Sequence, residues 1–428
     1  MSSEHDSIKH ILQTIEGENG PRLYSYLQSL EKLVSPSVNA EDLQTSEQKD
    51  MVTLSSVLIG CSPGERERYK LWIEFLSSLI KTIRMKQWKN QLERFQSACT
   101  TFIKYDPVFR MDPKEKFGKN ATRRNWQIPV LVFVLKHVKQ SAFELSAHMH
   151  CVEFVQELAR CSRNIIMYCQ NVDSDVEVSF SRFKAIPFIV NTLLLVLISF
   201  YQTDQCRSFI LAVEAMQKQG KTFLDCATRA QYAVYQFYLG RVRLLDRNFK
   251  GAREVLHSAF TKLPIRHPNK SIALYYCTFA SLVCGIKPSE SLLRKYELET
   301  LSELISALET GDYKGFERFC VENKADLIER GVFVLIPYLM LELNINAFKR
   351  CYYLSQQIGH PETSRIPIEC LTKYQSIMGT PNELCSEDIV MDTVSNILAS
   401  KRALGYLSRE HKIVVLSKTN PFPPIDLS

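Results

Sequence analysis

The sequence predicts an all-α protein with a small β-hairpin near its C-terminal end. Apolar residues recur at helical spacing from about residue 65 onward, and small residues recur at the offsets of a helical repeat. Two short apolar runs flank a polar turn close to the end of the chain. We therefore expect a tetratricopeptide-like (TPR-like) α-solenoid with a C-terminal cap.

The composition is that of a globular protein, with 45% hydrophobic and 23% charged residues among 428. The net charge of +7 permits a polyanionic partner without requiring one. The 13 cysteines include no C-x-x-C pair, which argues against a zinc site and a disulfide framework and favours a reducing cytosol or nucleus. The opening stretch "MSSEHDSIKH" lacks the pattern of a secretory signal.

Residues 1–125 are expected to form an N-terminal helical region. The first 60 residues predict small helices interrupted at glycine and proline, and "YKLWIEFLSSLIKTI" places apolar residues one helical turn apart. The basic stretch from Asp106 to Arg124 contains two prolines and a glycine, which predicts an exposed loop. Further helices are expected at about 126–138, 141–170, 182–201, 204–218 and 223–245.

The most apolar stretch runs from Ala185 to Phe200 and contains Pro187 and Asn191. Its 16 residues are too few for a membrane-spanning helix. We expect a buried core helix instead.

The repeat pattern is clearest in "LGRVRLLDRNFKGAREVLHSAFTKLP", where small residues stand at Gly240, Ala252 and Ala259, with Leu256 between them and Pro264 at the end. Small residues let paired helices approach closely, and the leucine fills the space between them. In a second stretch, "GDYKGF" predicts the turn between two amphipathic helices. Because one such pair cannot bury its apolar face alone, the last repeat needs a cap.

The sequence after Asn346 predicts that cap. "NAFKRCYYLSQQI" predicts a helix, "TSRIP" a short extended segment, and "PIECLTKYQSI" a second helix. A third helix is expected to begin at Ser386, with an apolar stripe that contains Val390, Val394, Ile397 and Leu398.

The last elements are "ALGYL" and "KIVVLS", which flank the turn Ser408–His411 and predict a hairpin. Helices and a hairpin in this order predict a winged helix. The expected domains are an N-terminal helical region at 1–125, a TPR-like solenoid at 126–345, and a winged helix with a C-terminal tail at 346–428.

The motifs "YLGRVRLLDRNFKGAREVLHSAF", "SLLRKYEL", "IPIECL" and "GYLSREHKIVVLSKTNPFPP" resemble the family of PCI-domain-containing protein two. The resemblance covers about residues 180 to 424. It implies the PCI architecture, in which a helical solenoid ends in a winged helix.

The resemblance also implies a function, that of a non-catalytic scaffold subunit without a cofactor. The implied partners are a larger PCI-domain scaffold protein, a small acidic peptide of the proteasome-lid type, and RNA and double-stranded DNA, with no membrane. The implied process is transcription-coupled mRNA export in the nucleus or at the nuclear pore, with a cytoplasmic pool. A signalosome-like or splicing-associated PCI subunit is the alternative.

The candidate nucleic-acid-binding residues cluster around the hairpin. The segment from Lys401 to Lys418 contains five Lys/Arg residues and one acidic residue, Glu410. Such a turn can approach a phosphate backbone, although a polar hairpin turn is also common without any ligand. Acidic residues in the first turns of the third helix argue against base readout. The predicted set is Lys373, Lys401, Arg402, Arg409, His411, Lys412 and Lys418.

A metal-dependent hydrolase is the remaining alternative, with His148, His150 and Cys151 in "AHMHC" as its candidate ligands. Metalloproteases that accompany PCI proteins continue this pattern with a serine and an aspartate, whereas Leu158 and Cys161 occupy those positions here. Histidines two residues apart also point to different helix faces. The sequence therefore predicts neither a catalytic nor a metal site.

Overall fold

A computed structural model describes residues 10–11, 14–15, 20–37, 39–56, 63–110, 125–145, 152–172, 180–218, 223–358 and 364–423. These residues form α-helices and one small three-stranded sheet, so the predicted fold class is confirmed. The chain divides into two compact units, residues 1–238 and 239–428. The predicted three-domain boundaries stay a prediction.

The first unit is helical wherever it is described in regular structure. Its helices are α1 (Gly20–Leu33), α2 (Ala40–Ser56), α3 (Pro63–Arg84), α4 (Gln91–Arg110), α5 (Ile128–Glu144), α6 (Val152–Val172), α7 (Ile186–Ser199), α8 (Thr203–Lys218), α9 (Phe223–Cys226) and α10 (Arg229–Leu245), whose last residues belong to the second unit. Short 3-10 turns lie at Met85–Gln87 and Arg182–Ala185.

An aromatic cluster joins α3 to α4. The Trp72 ring stacks on Trp126 at 6.0 Å between centroids and meets Phe75 edge-on, while Phe75 contacts Tyr105 at 4.7 Å. All four side chains are buried. Large aromatic rings bury the most area per residue, so this cluster is a main source of stability in the first unit.

The loop expected from Asp106 to Arg124 begins later than predicted. Residues 106–110 are the last turn of α4, in which Val108 and Phe109 are fully buried. Burial of these two side chains outweighs the cost of Pro107 inside the helix. The remaining part of the expected loop, 111–124, lies outside the described residues.

Helix α7 is a core helix. Together with the 3-10 turn before it, the stretch Arg182–Ser199 has the length and apolar composition to cross a membrane, but 72% of it is buried inside the protein. Residues Ile189, Val190, Leu193 and Leu194 are at most 1% exposed. The stretch therefore packs as the sequence predicts.

The second unit continues with α11 (Phe249–Lys262), α12 (Asn269–Val283), α13 (Glu290–Lys295), α14 (Thr300–Thr310), α15 (Tyr313–Glu322), α16 (Lys324–Glu329) and α17 (Ile336–Ile358). The winged helix follows, with strand β1 (Arg365–Pro367), α18 (Ile368–Ile377), α19 (Glu387–Ala399), β2 (Gly405–Ser408) and β3 (Ile413–Leu416). The predicted order of helices and strands is present.

The repeat pattern has the predicted packing. Ala252, Leu256 and Ala259 on α11 are fully buried, and a Cβ at Gly240 would lie 2.4 Å from Cγ of Leu256. Only a glycine allows this approach. The Asn248 side chain caps α11 by accepting a hydrogen bond from the Gly251 amide at 3.0 Å.

The turn at "GDYKGF" also lies where predicted. Gly311 ends α14 in the left-handed conformation, with φ +71°, and its position is tight against Ala347 of α17. The Asp312 carboxylate then caps α15 by accepting from the Gly315 amide at 3.1 Å. Both caps come from residues that the sequence pattern places in the turn.

Helix α17 extends across the predicted start of the cap. It begins at Ile336, ten residues before Asn346, and runs without a break to Ile358. It packs against α12 and α14 on the repeat side and against α18 and α19 on the winged-helix side. A single helix therefore belongs to both the last repeats and the winged helix.

We expect Ala252→Leu to destabilise the protein by about 1–3 kcal/mol, because three added carbons must enter a fully buried contact between repeat helices. Ala230→Leu, on the exposed surface of α10, is the matched control and should leave stability nearly unchanged. Urea denaturation of the two variants measures the difference. Equal midpoints would show that the repeat register is wrong.

Candidate partner and nucleic-acid interface in the winged helix

The winged-helix sheet has the strand order β1-β3-β2 and is antiparallel throughout. Ile366 pairs with Val414, and Val414 pairs with Leu407 across the other side of β3. Ile366, Val414 and Leu416 point inward and are at most 3% exposed. Their core includes the predicted stripe residues Val390, Val394 and Ile397, whereas Leu398 is only partly buried.

The opposite face of the sheet carries both apolar and polar side chains, and all of them are at least partly exposed. One row of paired residues across the three strands consists of Arg365, Val415 and Tyr406. The neighbouring row on the same face consists of Pro367, Ile413 and Ser408. Tyr406 is 62% exposed. Because side chains alternate along a strand, this outward row is fixed by the same register that buries Val414 and Leu416.

Strand β2 is an edge of the sheet. Among the described residues it pairs only with β3, so its second edge is open. Its exposed tyrosine and the adjacent strand residues lie beside this edge. An open edge next to an exposed aromatic side chain offers both backbone hydrogen bonds and apolar contact to another protein.

The turn of the hairpin carries two of the predicted cations, and each is paired with an acid of α19. The Arg409 guanidinium lies 2.5 Å from the Asp392 carboxylate, and Lys412 Nζ lies 2.5 Å from the Glu387 carboxylate. All four side chains are more than 40% exposed. Exposed pairs of this kind contribute only about 0–1 kcal/mol, so a phosphate can replace the acid as partner.

Arg402 occupies a different environment. Its guanidinium donates to both carboxylate oxygens of Glu342 on α17, one of them at 2.9 Å, and the two side chains are 17% and 4% exposed. Burial raises the pKa of Glu342 even though Arg402 lowers it. The predicted phosphate contact at Arg402 is therefore a structural link between the winged helix and α17.

The other four candidates lie on the surface. Lys373 pairs with Glu369 one helical turn away, at 2.5 Å, and both side chains are at least 66% exposed. Lys401, His411 and Lys418 are exposed, and none of the three forms an ion pair with another described residue. His411 lies in the hairpin turn, whereas Lys401 and Lys418 flank the opposite end of the hairpin, before β2 and after β3.

The acids of α19 reduce the charge of this surface. Although the hairpin region alone is strongly basic, residues 365–418 contain seven Lys/Arg and six Asp/Glu. Glu387 and Asp388 lie in the first turn of α19, where they also complement the helix dipole. The winged helix by itself is nearly neutral.

The tail folds back as an anchor. The Phe422 ring meets Phe348 and Tyr352 of α17 edge-on, each at 5.6 Å between centroids, and Lys349 Nζ lies 5.7 Å from its centre. The Pro421 carbonyl accepts a hydrogen bond from the Leu404 amide at 2.9 Å. Phe422 therefore packs against the winged-helix core.

The metal-site candidate cannot be placed, since His148, His150 and Cys151 lie outside the described residues. Leu158 and Cys161 are buried on α6, and burial raises the pKa of the Cys161 thiol. Within the described part of the chain, no three His, Cys, Asp or Glu side chains are grouped so that they could hold a metal ion.

Comparison with known proteins supports the PCI resemblance, although no protein-family model matches the chain. PCI domain-containing protein 2 of Danio rerio is 25% identical over 70% of this chain and 74% of its own length. The Xenopus laevis protein of the same name is 25% identical over 70% and 74%, and the Drosophila melanogaster homolog 24% identical over 71% and 74%. The resemblance predicted from the motifs is confirmed, and the chain is similar to PCI domain-containing proteins.

We expect Arg402→Ala to destabilise the protein by about 3–5 kcal/mol, because Glu342 would remain buried without its hydrogen-bonded counter-ion. The loss should shrink as the pH falls, since burial already raises the pKa of Glu342 and a protonated carboxyl needs no counter-ion. Chemical denaturation at several pH values measures both effects.

Two variants serve as controls for this prediction. Arg409→Ala removes an exposed pair and should change stability by at most about 1 kcal/mol. The double variant Arg402→Met/Glu342→Leu removes both buried charges and should recover most of the stability. If Arg402→Ala is as stable as Arg409→Ala, the buried pair is not a structural link.

Proposed function

We propose that this chain is a non-catalytic scaffold subunit that binds a larger PCI-domain protein through its winged helix. We further propose that the resulting complex binds the phosphates of RNA or DNA. Exposed Tyr406, with its partly exposed apolar neighbours on the outward sheet face, is the observation that carries the proposal. The family resemblance implies transcription-coupled mRNA export as the process and the nucleus as its location.

The outward sheet face has the features of a protein interface. Tyr406 stands at its edge with 62% of its surface exposed, and Val415 and Ile413, both partly exposed, lie on the same face of β3. Tyrosine is enriched among the residues that dominate binding energies, because it combines a large apolar area with few rotatable bonds. A partner that adds a strand to β2 would cover these side chains and also form hydrogen bonds with the unpaired backbone groups of β2.

The hairpin carries exposed cations at both of its ends, which supports phosphate binding. Lys401, His411 and Lys418 are exposed, and the pairs of Arg409 and Lys412 are weak enough to exchange an acid for a phosphate. Arg402 is excluded from this set by its buried pair with Glu342. Because Lys412 contacts Glu387 and Arg409 contacts Asp392, a phosphate at the hairpin turn would displace these acids of α19 from the two cations.

This arrangement favours backbone contacts without base readout. In winged-helix and related DNA-binding motifs, base edges are read by the first turns of a helix placed in the major groove. Here the first turns of α19 carry Glu387, Asp388 and Asp392, which repel phosphates on both sides of a groove. Binding should therefore be similar for unrelated sequences.

The partner interface is tested by Tyr406→Ala. We expect this variant to lose co-purification with the larger PCI protein while its melting temperature is kept, because the side chain points away from the core. Ile377→Ala is the matched control, since Ile377 is 79% exposed on α18 of the same domain. Assembly that is equally strong with Tyr406→Ala would refute the outward sheet face as the interface.

Phosphate binding is tested by replacing Lys401, Arg409, Lys412 and Lys418 with Ala in the partner-bound complex. Each lost contact should reduce the slope of log affinity against log salt by about 0.7 for a single strand and about 0.9 for a duplex. Salt titrations with RNA and DNA of unrelated sequence measure this slope. Partner assembly should persist, because the apolar side chains of the outward sheet face are unchanged.

The control for this experiment replaces four exposed cations of the repeat region, Arg266, Arg294, Lys295 and Lys324, and so removes the same net charge. The slope should then stay near that of the unmodified protein. If both sets lower the slope equally, nucleic acid responds to overall charge and the hairpin is not its site.

A further inference from the structure

A cleft in the first unit collects three lysines around one glutamate. It lies where the end of α1, the 3-10 turn Met85–Gln87 and helix α5 meet, and its volume is about 530 Å³. Lys32, Lys86 and Lys136 each come from a different one of these elements, and Glu31 lies among them. A cleft of this volume falls within the range of small-molecule sites.

The glutamate shows that the cleft stabilises negative charge. The Glu31 carboxylate accepts from Lys136 Nζ at 3.0 and 3.2 Å, and Lys86 Nζ lies 3.8 Å away. The Glu31 side chain is only 11% exposed. Burial by itself would raise the pKa of Glu31, but the neighbouring cations outweigh burial and hold it below its ordinary value.

One carboxylate does not neutralise the cleft. Three lysines and one glutamate leave two positive charges, and Lys32 forms no ion pair with another described residue. The side-chain amides of Gln28 and Gln87 add neutral donors to the same walls. Convergent cations with amide donors form a binding site for an anion of at least two charges.

Contacts of the buried Arg84 hold the walls of the cleft in place. The Arg84 guanidinium donates to both carboxylate oxygens of Asp50 at 3.1 Å, and its backbone carbonyl accepts from the Ser37 amide at 3.0 Å. Arg84 is 7% exposed. These contacts fix the segment after α1 against the end of α3, so the cleft is largely formed before a ligand enters.

Three features select the class of anion. Lysine is a compact point charge that binds phosphate groups without requiring bidentate geometry. No aromatic side chain lines the described walls, so nucleobases would find no stacking surface. A residual charge of two matches a ligand that carries more than one phosphate group.

We propose that this cleft binds a compact polyphosphorylated ligand, either free or as the headgroup of a phosphorylated lipid, through Lys32, Lys86 and Lys136. The site belongs to the first unit and is independent of the function proposed for the winged helix. Glu31 holds the lysines in place while the ligand is absent, and it competes with the ligand for them.

Because Glu31 and the ligand compete for the same lysines, two kinds of variant should change the ligand affinity in opposite directions. Lys86→Gln/Lys136→Gln should weaken binding at least about tenfold, since a charge-assisted hydrogen bond contributes at least as much as a tenfold change in affinity requires. Glu31→Gln should strengthen binding, because the lysines lose their internal partner. A variant that fails to fold cannot produce the second result.

The experiment is isothermal titration calorimetry of the full chain with inositol hexakisphosphate and with inorganic tripolyphosphate at constant ionic strength. Lys89→Gln/Lys139→Gln and Glu41→Gln are the matched controls, because they change the same charges at exposed positions outside the cleft walls. Both controls should bind as the unmodified protein does. Flotation with vesicles of phosphatidylcholine, with and without a polyphosphoinositide, then separates the two sources of the ligand.

Capture by the phosphoinositide vesicles would assign the lipid headgroup, and binding of the soluble phosphates alone would assign a free ligand. The proposal is overturned if the cleft variants and the control variants bind equally, or if Glu31→Gln leaves the affinity unchanged. It is also overturned if single-stranded RNA displaces tripolyphosphate at stoichiometric concentration, since the surface would then be a nucleic-acid site.

Discussion

Helix α17 is the element on which the second unit depends. Its 23 residues pack against repeat helices at one end and against α18 and α19 at the other. Ile345, Phe348 and Tyr352 contribute to the winged-helix core, and Phe422 returns from the tail to cover the same face. The buried pair of Glu342 and Arg402 links α17 to the winged helix, and removing either partner would leave the other charge buried. The winged helix is therefore the last layer of the solenoid.

This anchoring determines which surfaces remain for function. The inner sheet face belongs to the core. Arg402 binds Glu342 of α17, although the sequence analysis predicted that it contacts phosphate. The outward face keeps Tyr406 and its apolar neighbours, and the hairpin turn keeps Arg409 and Lys412 in weak surface pairs. Because residues 365–418 are nearly neutral overall, firm binding of a polyanion requires cations from a partner as well. In the function proposed above, assembly and nucleic-acid binding are then linked through one small domain.

Local patterns were sufficient to predict most of the fold. The small residues Gly240 and Ala252, the capping residues of the repeat turns and the alternation in β3 each act within a few residues or through a fixed offset, so sequence spacing carries them. The ion pairs of the winged helix do not have this property. Glu342 and Arg402 are 60 residues apart, and Arg409 and Asp392 are 17 apart. Which cation is buried and which is exposed depends on how α17 and α19 pack, and charge counting along the chain cannot supply that.

The most direct test of the account is native-state hydrogen exchange of the full chain, read amide by amide along α17 and β3. If α17 joins the repeats and the winged helix into one cooperative unit, amides on both sides of Asn346 and those of Val414 and Leu416 will exchange with the same free energy of opening. Rapid exchange in β3 and the second half of α17, while residues 336–345 stay protected, would contradict the account. The winged helix would then be a separate domain attached to the end of the solenoid.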